Sequence, residues 1–231
     1  MLRVGLTGGL GSGKSTIAQY LRELGAEVSE SDDVGRALME PGQPVYNEIL
    51  RVFGPGVADA DGRLNRARLA QLAFSGGRLD ELNGLVHPAV VEAQRRWMNE
   101  VFARNPAAVA VVVSALIFEV ERDARNRGDL DSILSDWRRR IDRVVVVTAP
   151  DEAKIGRYVD RLGVFGAGRA AAEADARARL AHQVPDAVKA ARADYVVENA
   201  GDKEALRAQV AELWERLKAE SNKLLQDASL E

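Results

Sequence analysis

An α/β fold, with a five-stranded parallel sheet flanked by helices, is predicted by three features of the chain. Five short apolar segments alternate with stretches of helical periodicity, the order that builds a doubly wound sheet. A glycine-rich loop ending in lysine and serine joins the first apolar segment to the first helix. Two of the segments, Ala108 to Val113 and Val144 to Val147, are unbroken and valine-rich, as expected of strands covered on both faces.

The loop is Gly8-Gly9-Leu10-Gly11-Ser12-Gly13-Lys14-Ser15. It has the form G-x-x-x-x-G-K-[ST] of a phosphate-binding P-loop. Its glycines let successive backbone N–H groups converge without a Cβ in the way, which makes an anion nest. Lys14 adds a charge that reaches the outer phosphates, and the Ser15 hydroxyl suits a Mg²⁺ ion. The context fits the motif. Leu2, Val4 and Leu6 alternate with smaller or polar residues as a strand, Ile17, Tyr20, Leu21 and Leu24 recur at helical spacing, and Gly25 ends the helix. That helix aims the positive end of its dipole at the loop.

Composition narrows the class. At 231 residues the chain is long enough for one domain with a sizeable core and an inserted subdomain. A net charge of -3 gives no reason to expect nucleic acid. There is no cysteine, so disulfides and thiolate metal sites are excluded, and the two histidines, His87 and His182, lie far apart. No apolar run approaches a membrane span. A strand that starts at residue 2 leaves no room for a signal peptide, and a cytoplasmic enzyme with no membrane partner is the expectation. The final Ser229-Leu230-Glu231 is read as a cloning remnant and set aside.

Ala26 to Ser29 reads as the second strand, running into Glu30-Ser31-Asp32-Asp33. Acids at the carboxyl end of a parallel strand lie on the ligand edge of such a sheet. Two readings stand for them. They cap the next helix, expected over Val34 to Met39, or Asp32 is the carboxylate that a kinase needs to orient an acceptor hydroxyl and take its proton. Pro41-Gly42-Gln43-Pro44 is a turn, Val45 to Phe53 a helix stopped by Gly54-Pro55-Gly56, and Asp59-Ala60-Asp61-Gly62 a second turn. Residues 63 to 104 are helical by pattern, with a break at His87-Pro88, because residues before proline avoid the α region. His87 is either a half-buried histidine at that junction or a ligand-binding one.

The third strand ends in Ser114 where a motor ATPase or GTPase carries its Mg²⁺-holding aspartate, which favours a small-molecule kinase. Glu119 either faces the cleft or begins the charged stretch after it. Residues 120 to 142 mix both signs densely and read as a solvated helix or loop, with Ile133, Leu134 and Trp137 as one apolar edge. Thr148-Ala149-Pro150-Asp151 starts a helix that carries Arg157 and Arg161. Gly163, Gly166 and Gly168 suit a hinge, and Arg169 to Gln183 is an alanine-rich helix with Arg177 and Arg179. Arginines on a hinged lid would stabilise the moving phosphoryl group and exclude water. Asp194 to Asn199 is the fifth strand, and Leu206, Val210, Leu213 and Leu217 mark a final amphipathic helix.

Taken in order, these features resemble the dephospho-coenzyme A kinase family. The resemblance rests on Val4 to Ser15, on Glu30-Ser31-Asp32 with Arg36 in the following helix, on Glu40-Pro41-Gly42 and on Leu85-Val86-His87-Pro88. It continues through Leu116-Ile117-Phe118-Glu119, Arg179-Leu180-Ala181-His182-Gln183 and Ala193 to Asn199. The resemblance implies a P-loop NTPase fold in one kinase domain over 1–217. Its core would span about 1–40, 106–156 and 190–217, with a helical acceptor-binding insertion over 41–105, a lid over 157–189 and a tail over 218–231. It implies ATP-dependent phosphorylation of the ribose 3′-hydroxyl of dephospho-coenzyme A, with ATP and Mg²⁺ as cofactors. Asp32 and Lys14 are then catalytic and Ser15 also holds the metal. The nucleotide is held by Gly9, Gly11, Ser12, Gly13, Lys14, Ser15, Thr16, Arg157, Arg161 and Asn199, and the acceptor by Thr7, Asp32, Arg36 and His87. Departures from the family pattern are Glu30 for an aspartate, Ala115 for a proline, Val113 and Ser114 where an aspartate is frequent, a longer 120–140 segment, and glycines in the lid. Other small hydroxyl acceptors, or a P-loop switch that works through partners, are the alternatives. The missing N-K-x-D guanine motif weighs against the switch.

Overall fold

Strands β1 (Leu2–Gly8), β2 (Glu27–Glu30), β3 (Val109–Val113), β4 (Arg143–Thr148) and β5 (Tyr195–Glu198) form one sheet in the order β2-β3-β1-β4-β5. The structure is a computed structural model and describes residues 1–74 and 76–228; Ser229-Leu230-Glu231 lie outside them. β1 pairs in parallel with both β3 and β4, so that Leu6 stands beside Val113 and Val145. β4 pairs in parallel with β5. The connection leaving β1 runs to one side and that leaving β3 to the other. The β1 loop therefore sits at the point where strand order reverses, where open α/β sheets bind ligands.

The helices are α1 (Lys14–Leu24), α2 (Ser31–Leu38), α3 (Pro44–Phe53), α4 (Arg66–Phe74), α5 (Leu79–Arg104), α6 (Ile117–Asn126), α7 (Asp151–Leu162), α8 (Ala167–His182), α9 (Asp186–Ala190) and α10 (Lys203–Ala228). The chain divides into two compact units, Met1–Ser29 with Met98–Glu231, and Glu30–Trp97.

In the first unit one sheet face is covered by α1 and α10. Ile17, Leu21, Val210, Leu213 and Leu217 interdigitate there with Leu2, Val4, Leu6, Val111 and Val145. Gly25 ends α1 in the left-handed conformation at φ 110, its N–H returning to the last turn. On the other face Gly5 is small for a reason: a Cβ there would lie 2.7 Å from Ile117 and 2.8 Å from Ile141. Register is pinned at the strands' starts, where Asp142 accepts from the backbone and guanidinium of Arg3 and Asp194 accepts from the Val144 N–H at 2.7 Å.

The charged stretch after α6 departs from expectation. Trp137 is fully buried, edge-on to Phe118 at 6.0 Å. Glu119 and Glu121 are buried too, the latter paired with Arg125 and Arg192. Burial pushes the Arg140 guanidinium down to about 10, against the opposing pull of Glu121 and Asp136. The mixed charges are thus internal ion pairs under the sheet as well as solvated surface. Charge density along a chain does not reveal which acids a neighbouring element will cover.

The second unit packs Val45, Ile49, Phe53, Val57 and Leu69 into a small core. α2 begins at Ser31 rather than Val34, so Asp32 and Asp33 occupy its first turn instead of preceding it. The expected break at His87-Pro88 is absent, and α5 runs continuously through Pro88. Pro88 removes one N–H and leaves the Gly84 carbonyl without its helical partner. Both residues are exposed, where an unpartnered carbonyl costs little because solvent can bond it. Pro88→Ala is expected to raise stability by about 2 kcal/mol, read as a higher Tm in thermal unfolding.

Candidate active site

The loop between β1 and α1 is shaped by contacts from three other elements. Gly11 has φ +70, and a Cβ on it would lie 2.1 Å from the Lys154 carbonyl of α7. Gly13 has φ +99, and a Cβ there would lie 2.1 Å from Asn199 Nδ2. Neither position admits a side chain, for both conformational and steric reasons. Asn199, just after β5, donates from Nδ2 to the Ser12 carbonyl at 2.8 Å. Arg157 of α7 donates to the Asn199 carbonyl at 2.9 Å and, at longer range, to the Gly11 and Ser12 carbonyls. These bonds turn the Gly11 and Ser12 carbonyls outward, while within the loop the Ser12 N–H donates to the Gly9 carbonyl at 3.2 Å.

Lys14 opens α1 and donates from Nζ to the Gly8 and Gly9 carbonyls, both at 2.9 Å. Its ammonium therefore lies along the loop. Ser15 and Thr16 follow on the exposed side of the first turn. The Thr7 and Ser12 hydroxyls are buried and bond no group among the described residues.

Helices α7 and α8 pack through Ile155, Tyr158, Val159, Ala172 and Ala176, and the side chain of Leu10 joins that cluster. The only loop residue with a large apolar side chain thereby anchors the loop between α7 and α8. The Leu10 N–H donates to Gln183 Oε1 at 3.0 Å. Beside it Lys154, almost wholly buried, pairs with Asp151 at 2.7 Å and Asp186 at 2.8 Å. Burial acts against its charge, but the bonds to the two carboxylates outweigh it and raise the Lys154 pKa. Arg161 lies over the Tyr158 ring at 5.6 Å. Arg177 and Arg179 are held by Glu152 and Asp175 on the surface.

In the second unit Asp32 is exposed in the first turn of α2. Arg36 bonds Asp33 one turn on; that hydrogen bond, then the charges of Asp33, Asp32 and Glu30, raise its pKa. α5 runs antiparallel along α2. Gly35 faces Val86 and Val90, and Gln94 donates to Ser31 Oγ at 3.0 Å. His87, half buried, sits next to that seam.

The family model for dephospho-CoA kinase matches residues 2–204. The chain belongs to that family. Among curated relatives, the dephospho-CoA kinase of Corynebacterium diphtheriae is 39% identical over 214 residues, covering 92% of this chain and 96% of that one. That of Moorella thermoacetica is 34% identical over 220 residues, covering 94% and 92%. A solved Thermus thermophilus structure is 33% identical, with a TM-score of 0.68 over 93% of this chain and 97% of that one. The Campylobacter jejuni dephospho-CoA kinase, at 17% identity and a TM-score of 0.57 over 93% and 96%, shares the fold.

For this dephospho-CoA kinase family member, the structure gathers Thr7, Gly9, Gly11, Ser12, Gly13, Lys14, Arg157 and Asn199 at the loop. It puts Arg161 over the ring of Tyr158, and Asp32, Arg36 and His87 belong to the second unit. Sequence reasoning passed over Lys154 and Asp186. Asp151 and Lys154 at i,i+3 look like any surface helix pair, and nothing local signals that Asp186 closes over them. Gln183 was visible as part of the R-x-x-x-Q likeness, without its role. Gln183→Leu leaves the Leu10 N–H without its acceptor and is expected to raise KM for ATP by up to about tenfold, with kcat affected less. Steady-state kinetics in ATP checks this.

Proposed function

We propose that this kinase transfers the γ-phosphoryl group of ATP to the ribose 3′-hydroxyl of dephospho-coenzyme A, the last step of coenzyme A synthesis. The observation that carries the reading is the family match across residues 2–204, joined to the glycine-rich loop with Lys14 lying along it. The acceptor oxygen forms a bond to the γ-phosphorus as the bond from the β–γ bridging oxygen breaks, ADP leaves, and the hydroxyl proton passes to the Asp32 carboxylate. Lys14 and the loop N–H groups hold the β- and γ-phosphates and stabilise charge as it spreads over the moving group. Arg157 keeps the loop in shape from the lid. Arg36 and His87 orient the acceptor, so that catalysis is mostly positioning.

Among the described residues no group of three or more His, Cys, Asp or Glu side chains is placed to hold a metal ion. The exposed hydroxyl of Ser15, next to Lys14, fits the other mode of Mg²⁺ binding, in which phosphates supply most ligands. When bound, the ion would neutralise charge on the β- and γ-oxygens. No helix among the described residues is long and apolar enough to cross a membrane.

The relatives' shared name lends no support to another acceptor or to a switch protein. The test is ADP release measured with and without dephospho-coenzyme A, with the product's phosphate located by phosphorus NMR. Release that does not depend on the acceptor, or a phosphate at any position but 3′, would overturn the reading.

A further inference from the structure

The second unit contains a pocket of about 390 Å³ that none of the roles above uses. Its volume is within the usual range for small-molecule sites. Met39, Leu69 and Leu82 form apolar wall, and Glu40, Arg63 and Arg66 also line it. The apolar wall is part of the unit's own core: Leu69 is buried there, and Met39 and Leu82 pack against it. A pocket floored by core side chains keeps its shape without a ligand. Its two arginines differ from others in the unit. Arg51 and Arg78 are paired with Glu48 and Glu81, whereas Arg63 and Arg66 make no ion pair among the described residues.

Its position relative to Asp32 is set by one helix. Asp32, Arg36 and Met39 recur at i, i+4 and i+7 and so share one face of α2 and its final turn. Seven residues of helix rise about 10 Å. A reacting hydroxyl at Asp32 and a group in the pocket would therefore be separated by roughly the span of one ribose and a diphosphate, with Arg36 between them. In dephospho-coenzyme A, what lies beyond that span is the pantetheine arm. It is an uncharged chain with a dimethyl-substituted carbon, two amides and a terminal thiol.

We propose that this pocket is the subsite for the pantetheine arm of the acceptor, an inference that rests on the function argued above. The dimethyl group packs on Met39, Leu69 and Leu82. The amide carbonyls accept from Arg63 and Arg66, and an amide N–H donates to the Glu40 carboxylate. Binding energy collected here, far from the reacting oxygen, holds the 3′-hydroxyl at Asp32 and distinguishes this acceptor from nucleotides that carry no arm.

Ala70 lines the same pocket, and Ala70→Trp fills it. The variant is expected to raise KM for dephospho-coenzyme A about tenfold, the loss of roughly 1.4 kcal/mol of binding, with KM for ATP unchanged. Pantetheine phosphate, which has the arm and no adenosine, should inhibit the wild type competitively against dephospho-coenzyme A and lose that inhibition in the variant. A folded Ala70→Trp protein with the wild-type KM for the acceptor overturns the subsite. So does inhibition by pantetheine phosphate that competes with ATP. If Ala70→Trp does not fold, the exposed Arg66→Glu decides: a severalfold higher acceptor KM supports the pocket, and an unchanged one overturns it. Calorimetric titration of pantetheine phosphate into wild type and variant needs no turnover. Should the wild type fail to phosphorylate dephospho-coenzyme A, binding lost on filling the pocket still supports the subsite, and absence of binding to the wild type sinks it.

Discussion

Asp32→Ala is expected to lower kcat by about 10²–10⁴-fold, the range for loss of a positioned general base, while ATP binds as before. Asp32 makes no ion pair among the described residues. Its neighbour Asp33 is drawn to Arg36, so it is poorly placed to substitute. Asp32→Asn keeps the size of the side chain and removes its basicity, so it should lose nearly as much as alanine if proton acceptance is the role. A purely structural role would spare it. ATP affinity, measured by fluorescence titration with a nucleotide analogue, separates the two contributions, because Lys14 and the loop amides belong to a different part of the chain. Near-normal turnover of dephospho-coenzyme A by Asp32→Ala would remove Asp32 from the mechanism.

The second large effect concerns stability. Lys189 has no exposed surface and pairs with the buried Glu119 at 2.8 Å. Lys189 Nζ also donates to the Ala115 carbonyl at 3.2 Å, and Glu119 Oε1 accepts the Val184 N–H at 2.8 Å. The pair thus ties the chain after β3 to the segment where the lid returns to the core. Lys189→Met leaves a carboxylate buried without its counter-charge. The expected cost is about 3–5 kcal/mol, a fall in Tm of roughly 10 °C for a chain of this size. The double variant Glu119→Leu with Lys189→Met removes both charges and should recover most of the loss, since the desolvation penalty disappears with them. A single variant as stable as wild type in thermal unfolding would show that Glu119 has found water or a proton instead.

Residues 120 to 142 and the His87-Pro88 junction show where reading along the chain falls short. The alternating charges of 120 to 142 predict a solvated stretch, yet Glu121 is covered, and so is Glu119 just before it, because Lys189 and Arg192 arrive from some 70 residues away. Proline removes one helical hydrogen bond and disfavours the α region before it, so the local pattern predicts a break. Here Gly84 and Pro88 are both exposed residues, and packing of Val86, Val90 and Gln94 along α2 holds the helix through them. By contrast the five strands, the loop and the helix after it were legible, because their signals are local. Glycine spacing, a valine run and an apolar face at helical period each determine conformation within a few residues.

Thus the linear pattern was enough for the sheet, the phosphate loop and, through the ordered set of motifs, the family. It could not say that Leu10 is plugged between α7 and α8, that Lys154 and Asp186 close over Gly9, or that Glu119 is a structural anchor. Nor could it reveal a pocket at the far end of α2. Those facts depend on side chains brought together across long stretches of sequence. Whether a charge is solvated, paired or buried is decided by what packs against it, and periodicity along one element carries no record of its neighbours.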